Sequence, residues 1–284
     1  IHTHSIEANL IGLTAAKILG VRKRVYTRHH STFHHDYFPN AVKYDKWTNF
    51  MSTQILAISN NVQEVLIKKE GVLKKKISII HHGFDLDKFK KIDEQKILRL
   101  RLKYNISHNP VIGVIARHIK WKGIKYIIEA FKMLLIKYPN ALLLLANSSG
   151  PHHKYISNQL NQLPPKNYNL IKFEPDLFTL YQLFDIYVHV PIDKTIEAFG
   201  QTYVEALAAG IPSVFTLSGI AKEFIKDKEN ALVVGYKNAK EIHNAIESLL
   251  ESKILRNKLV TNGQKSIKEF NLNLFIAKLE KIYN

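Results

Sequence analysis

The sequence predicts an α/β protein of two domains, each a parallel sheet with helices packed on its faces. Three observations carry this. Short β-branched runs alternate with longer amphipathic stretches through most of the chain, which is the pattern of βαβ units. The helical stretches carry boundary signals, and a break in composition over 84–109 divides the alternation in two. With 284 residues and 46% hydrophobic content the chain can bury two ordinary cores.

In the first part, His2-Thr3-His4 reads as a short extended segment with both rings on one face. A helical pattern follows over 6–19, then strands at 24–27, 55–58 and 77–80 with a helix at 60–69. Asn60 or Asn61 is the expected cap of that helix. Turn chemistry at His82-Gly83-Phe84-Asp85 leads through a charged helix and residues 105–110 into an apolar strand. In the second part, strands are expected at 111–116, 141–146, 170–173, 186–190, 213–215 and 231–234. Helices are expected at 124–138, 202–209 and 239–251, with Gly210 and Pro212 stopping the middle one. The expected organisation is a partial first domain over 1–95, a linker over 96–109 and a second domain over 110–270. A last helix over 271–284 is placed as packing back on the first domain. The first domain reads as incomplete, because it shows neither the opening strand nor the glycine-rich turn that start a doubly wound sheet.

Net charge is +17, which implies attraction to an anionic membrane surface, a nucleic acid or a phosphorylated substrate. The alternative is that lysine is simply the default surface residue of an Ile/Lys/Asn-rich chain, since the lysines are spread along its length. No basic cluster interleaved with aromatics is present, so nucleic acid is not an expected partner. The absence of cysteine rules out disulfides and thiolate metal sites and fits a reducing, cytoplasmic setting. No apolar run approaches the ~18–20 residues that span a bilayer.

Two stretches can carry chemistry. EAFGQTYVEALAAGIP, 197–212, begins in the loop leaving the strand at 186–190, where open α/β sheets bind ligands. Gly200 lets the backbone approach a ligand, and the helix from about Gln201 offers free N–H groups and its dipole to a phosphate. Glu205 lies about one turn into that helix, roughly 6–8 Å from its mouth, and Glu197 flanks the mouth on the other side. Two carboxylates would thus bracket a bound phosphate and accept hydrogen bonds from hydroxyls on either side. VIGVIARHIKWKG, 111–123, delivers Arg117 and Lys122 to another strand end, where they suit a diphosphate. The histidines His2, His4, His29, His30, His34 and His35 show no recognisable zinc spacing, so no metal is expected, and they read as a polar cluster lining a cleft. Asp85-Leu86-Asp87 is assigned to turn and capping chemistry rather than to a metal–nucleotide site.

These segments, in this order, resemble the retaining, nucleotide-sugar-dependent glycosyltransferases of family 4, which have the two-domain GT-B architecture. IHTHSIEANLIGLTAAKILG (1–20) is similar to the family's H-x-H segment and its following helix. ISNNVQEVL (58–66) and IIHHGFDLDKF (79–89) resemble its inter-domain approach, and ARHIKWKG (116–123) its phosphate-binding segment. EAFGQTYVEALAAGIPSV (197–214) resembles its E-x7-E signature, and LSGIAKEFI (217–225) and ENALVV (229–234) its closing motifs. The resemblance implies that Arg117 and Lys122 bind the donor diphosphate, that Glu197 contacts sugar hydroxyls, and that Glu205 takes the ribose hydroxyls. It places backbone amides of Phe199, Gly200, Gln201 and Thr202 on sugar and phosphate, with His4 as the cleft histidine of the first domain. It also implies no metal and no cofactor beyond the nucleoside-diphosphate-sugar itself. The acceptor would be a hydroxyl of a glycan, polysaccharide or lipid-linked sugar, with peripheral contact to the inner face of an anionic membrane. Three departures stand out. Residues 147–151 read NSSGP where the family has Gly-x-Gly-Pro, Gln201 replaces an aliphatic residue, and several strand–helix units are expected before Ile1. The alternatives are a GT-B sugar-nucleotide epimerase and an inactive donor-binding fragment.

Overall fold

The computed structural model describes residues 1–107 and 109–284. The first sheet holds β1 (His2–Thr3), β2 (Val25–Arg28), β3 (Gln54–Ala57) and β4 (Ile77–Ile79), all parallel and side by side in that order. Its connections run through α1 (Ile6–Ile18), α2 (Phe33–Tyr37), α3 (Val42–Met51) and α4 (Asn60–Lys68). Ser5 caps α1 by accepting a hydrogen bond from the Ala8 amide at 3.2 Å. The cap of α4 is Ser59, not Asn60 or Asn61, and its hydroxyl accepts from the Val62 amide. Ser59 is the residue with extended backbone, as a cap requires. The two asparagines lie one step inside the helix, which turns their amides toward the other domain.

Helices α5 (Leu86–Lys90) and α6 (Glu94–Lys103) carry the chain across. The stretch read as a linker, 96–109, is therefore largely helix where it is described. It buries Leu100 and packs against a helix of the second domain. That domain contains β5 (Val111–Ile115), β6 (Leu142–Ala146), β7 (Tyr168–Ile171), β8 (Ile186–His189), β9 (Ser213–Phe215) and β10 (Leu232–Val233). They form one parallel sheet in the order β10-β9-β8-β5-β6-β7. The strand expected at 170–173 lies earlier, and Phe173 is exposed beyond its end. Around this sheet lie α7 (Ile124–Lys137), α8 (His153–Leu160), α9 (Leu177–Tyr181), α10 (Gln201–Ala208), α11 (Ala221–Phe224), α12 (Ala239–Glu251) and α13 (Lys253–Ser266), and the chain ends in α14 (Leu272–Tyr283).

Periodicity explains the layers. Along β5, Ile112 and Val114 face one core while Val111 and Ile115 face the other. Helix α7 buries Ile124, Ile127, Ile128, Phe131 and Leu134 at helical spacing, each worth about 1.5–3 kcal/mol. Helix α14 leaves the second domain and lays Phe275, Leu279 and Ile282 against Val25, Leu56 and Ile80 of the first sheet. A parallel bridge between Phe84 and Asn271 marks where the chain crosses and returns.

The second sheet has a topological switch point. The chain moves outward from β5 through β6 and β7, then restarts at β8 on the other side of β5 and moves outward through β9 and β10. Loops leaving β5 and β8 diverge there and open a crevice at the carboxyl ends of the strands. Arg117 follows β5, and Glu197 follows β8.

Candidate active site

The crevice faces the first domain across a cavity of about 450 Å³. Arg117, Trp121, Glu197, Phe199, Gly200 and Gln201 line one side, and His29, His30 and His82 line the other. Arg117 is exposed and has no ion-pair partner among the described residues, so its guanidinium is available to an anion. Lys122 is committed differently. Its ammonium lies 2.5 Å from Glu197 Oε1 and 4.4 Å from the centre of the Trp121 ring. The next residue, Gly123, has a left-handed backbone (φ 73°) that passes so close to the end of β8 that a Cβ would sit 2.0 Å from the Val190 carbonyl oxygen.

Glu197 is only 6% exposed. Burial alone would raise its pKa, but the Lys122 ammonium and the adjacent His189 outweigh burial and hold the carboxyl at about 2. His189 Nε2 stands 3.2 Å from the same Glu197 oxygen, and burial keeps this imidazole below its ordinary value. The carboxylate is therefore ionised at neutral pH and fixed in place, an acceptor for hydroxyl donors rather than an acid.

Helix α10 points its amino end at the cavity. Gly200 precedes it with φ 85°, and no side chain caps it. The first amides are thus available to a ligand, and the dipole favours negative charge there. The Thr202 hydroxyl is buried at this mouth, beside the Tyr187 hydroxyl.

Four predicted site residues do not line the cavity: Lys122 and Thr202, described above, and Glu205 and His4. Glu205 is buried, and its Oε2 accepts from the Tyr181 hydroxyl at 2.8 Å, so it sits behind the mouth with its pKa raised by burial. His4 is exposed, and its Nδ1 lies 3.2 Å from His29 Nε2. The His29 and His82 rings stack with centroids 5.5 Å apart, and His82 meets the Phe199 ring edge-on at 4.8 Å. A row of imidazoles thus connects His4 to the donor-side loop. The His2 and His4 rings do share a face, at 4.2 Å.

Sequence reasoning missed a buried network under the first-domain wall. His30, His34 and Asp45 bring their ligand atoms within 4.8 Å of one another, the geometry of a metal site. The Arg28 guanidinium, however, already forks onto the Asp45 carboxylate, with both contacts at 3.1 Å, and reaches Glu70 at 2.5 Å. The positive charge that a metal would bring is supplied by arginine. The available signal was the i,i+4 spacing of His30 and His34; Asp45 comes from the next long helix.

Two parallel-sheet, Rossmann-like domains that face each other across one cleft define an α/β protein of the GT-B type. Comparison with known proteins narrows this. Residues 98–266 match the family described as glycosyl transferases group 1, and residues 1–88 match glycosyltransferase family 4. The chain belongs to the group 1 glycosyltransferases. It is 29% identical over 292 residues to the capsular polysaccharide biosynthesis glycosyltransferase CapM of Staphylococcus aureus, covering 98% of this chain and 74% of that protein. It is 21% identical to the Escherichia coli UDP-Gal:alpha-D-GlcNAc-diphosphoundecaprenol alpha-1,3-galactosyltransferase, over all of this chain and 74% of that protein. Among solved structures, Anabaena HepE in complex with UDP and glucose shares the fold with a TM-score of 0.88 at 20% identity, covering 99% of this chain and 77% of that one.

Proposed function

We propose that the protein transfers a sugar from a nucleoside-diphosphate-sugar to a hydroxyl acceptor with retention of anomeric configuration. One observation carries the reading. The unpaired Arg117, the uncapped mouth of α10 and the ionised Glu197 converge on a single cavity between the domains. In that arrangement Arg117, Lys122 and the α10 amides stabilise charge developing on the departing diphosphate. Glu197 accepts hydrogen bonds from sugar hydroxyls. The acceptor hydroxyl attacks on the face the diphosphate is leaving. The bond from the anomeric carbon to phosphate breaks, the new glycosidic bond forms, and the acceptor proton passes to the departing phosphate oxygen. His29, His30 and His82 form the acceptor side of the cleft, and Glu205 completes the ribose site through the mouth of α10.

Charge stabilisation by these cations makes a metal unnecessary, so a chelator should leave turnover unchanged. The acceptor is a polysaccharide or lipid-linked hydroxyl at the inner face of a membrane. An exposed face of α1 and α3 supports this: Tyr44, Trp47 and Phe50 project from α3 among Lys43 and Lys46, and Lys17 lies 4.0 Å over the Phe50 ring. Sedimentation with phosphatidylglycerol vesicles at low salt, lost at high salt and in Trp47→Ser, tests that contact. The transfer reading is tested by Glu197→Ala and Arg117→Ala, which should each abolish formation of an acceptor-dependent glycoside while the fold persists. Unchanged turnover in both would defeat it. Free sugar-nucleotide product without acceptor would identify an epimerase instead.

A further inference from the structure

We propose that Asn61, on the first domain, is a positioning residue for transfer: it holds the Glu197 loop of the second domain in its working shape. The inference rests on the reading of the cleft as a sugar-transfer site. Between β8 and α10 the loop runs over the cleft, and its carbonyl groups point at the first domain. The Thr195 carbonyl accepts from Ser31 Oγ at 2.7 Å and from Asn61 Nδ2 at 2.8 Å. The Glu197 carbonyl accepts from Asn61 Nδ2 at 2.7 Å, and the Ala198 carbonyl accepts from Ser59 Oγ at 2.5 Å. Asn61 also reaches Ser31 Oγ at 2.8 Å, which ties the two donors together. Asn61, Ser31 and Ser59 are all buried.

Glu197 is consequently fixed at both ends. Its carboxylate is held by Lys122 of its own domain, and its carbonyl is held by Asn61 of the other. The Phe199 carbonyl, two residues on, accepts from within its own domain, from the Ile220 amide at 2.9 Å. A helix cap alone would not call for this arrangement, because Ser59 already caps α4. The amide of Asn61 is spent on the neighbouring domain. Loss of its donors leaves two loop carbonyls without that partner and lets Glu197 drift from its contact with the sugar. A displacement of about 1 Å is enough to cost on the order of a hundredfold in rate.

The test uses the full chain with Asn61→Ala and with Asn61→Asp, which keeps the shape but loses the N–H donors. Asn60→Ala is the control. It removes the side-chain half of another inter-domain contact, in which the Asn60 backbone and side-chain nitrogens each donate to Glu223 at 2.7 Å, and it touches no loop carbonyl. Both Asn61 variants should raise amide hydrogen exchange across 195–199 and lower kcat with UDP-glucose as the donor probe by about 10–100-fold. Their affinity for UDP alone should stay within about twofold, because Arg117 and the α10 mouth are untouched; Asn60→Ala should change kcat by less than about fivefold. Wild-type exchange and kcat in both Asn61 variants would overturn the proposal. So would equal losses in the Asn60 control. If the wild-type protein binds neither UDP nor UDP-glucose, the choice of donor fails, and the exchange arm still decides whether Asn61 holds the loop.

Discussion

Lys122→Met removes the ammonium from a carboxylate that stays buried, and the cost can be worked from the site. Glu197 is held at about 2 against an ordinary 4.5. At about 1.4 kcal/mol per tenfold change in proton affinity, that gap corresponds to roughly 3 kcal/mol. The loss of one partner from a buried ion pair typically costs about 3–5 kcal/mol, which agrees. A carboxyl depressed in the folded state adds stability above its unfolded pKa and loses it as pH falls toward the folded one. The wild-type advantage should therefore be full at neutral pH, decline below about 4.5, and shrink to roughly half by about pH 3. Urea unfolding of wild type and variant at pH 7 and pH 3 measures both values. The double variant Lys122→Met/Glu197→Gln, a neutral pair of similar volume, should recover most of the lost stability while remaining inactive. An unchanged midpoint for the single variant at pH 7, or a double variant as unstable as the single, would refute the reasoning.

Three further outcomes follow from the same geometry. Arg117→Ala should weaken nucleoside diphosphate binding at least about tenfold by calorimetry, with a stability change within about 0.5 kcal/mol, since the side chain is exposed. Gly200→Ala should cost about 1–2 kcal/mol from its positive φ and more from the new Cβ, which would meet the Tyr203 ring at 2.6 Å. Its expected signature is lost donor affinity together with a lowered thermal midpoint. His2 and His82 are each held at about 4, by burial first and by neighbouring histidines second. His4, His29 and His81 face them, and the Ile1 amino group and the Tyr283 hydroxyl also lie beside His2. Both rings favour the neutral form in the fold, so stability should fall as pH drops from about 6.5 toward 4. His82→Gln should flatten that decline in urea midpoints taken across the window.

The fold was legible where a periodic signal was local. The alternation along β5 and the helical spacing on α7 are each carried by a few consecutive residues, and so is the cavity-facing run from Glu197 to Gln201. What stayed hidden depends on partners distant in sequence. Lys122 and Glu197 are 75 positions apart, and no spacing rule announces that they hold each other before any ligand does. Glu205 was placed correctly along α10, but the hydroxyl that occupies it belongs to Tyr181, on the short helix α9 for which the sequence offers little pattern. At 58–62, Ser59, Asn60 and Asn61 are all good capping residues, and only the backbone angles show which one caps. The choice mattered, because the residues left over are those that bridge the domains.

Helix α14 has a consequence for how such a chain can be made and divided. Gly83 has no room for a side chain because Phe275 lies against it, and His2 Nδ1 meets the Tyr283 hydroxyl at 2.6 Å across 281 positions of sequence. The patch of Val25, Leu56 and Ile80 on the first sheet therefore waits for its cover from Phe275, Leu279 and Ile282 until α14 has left the ribosome. A cut at the domain crossover would separate that patch from the helix that covers it, and adding α14 back should restore the contact.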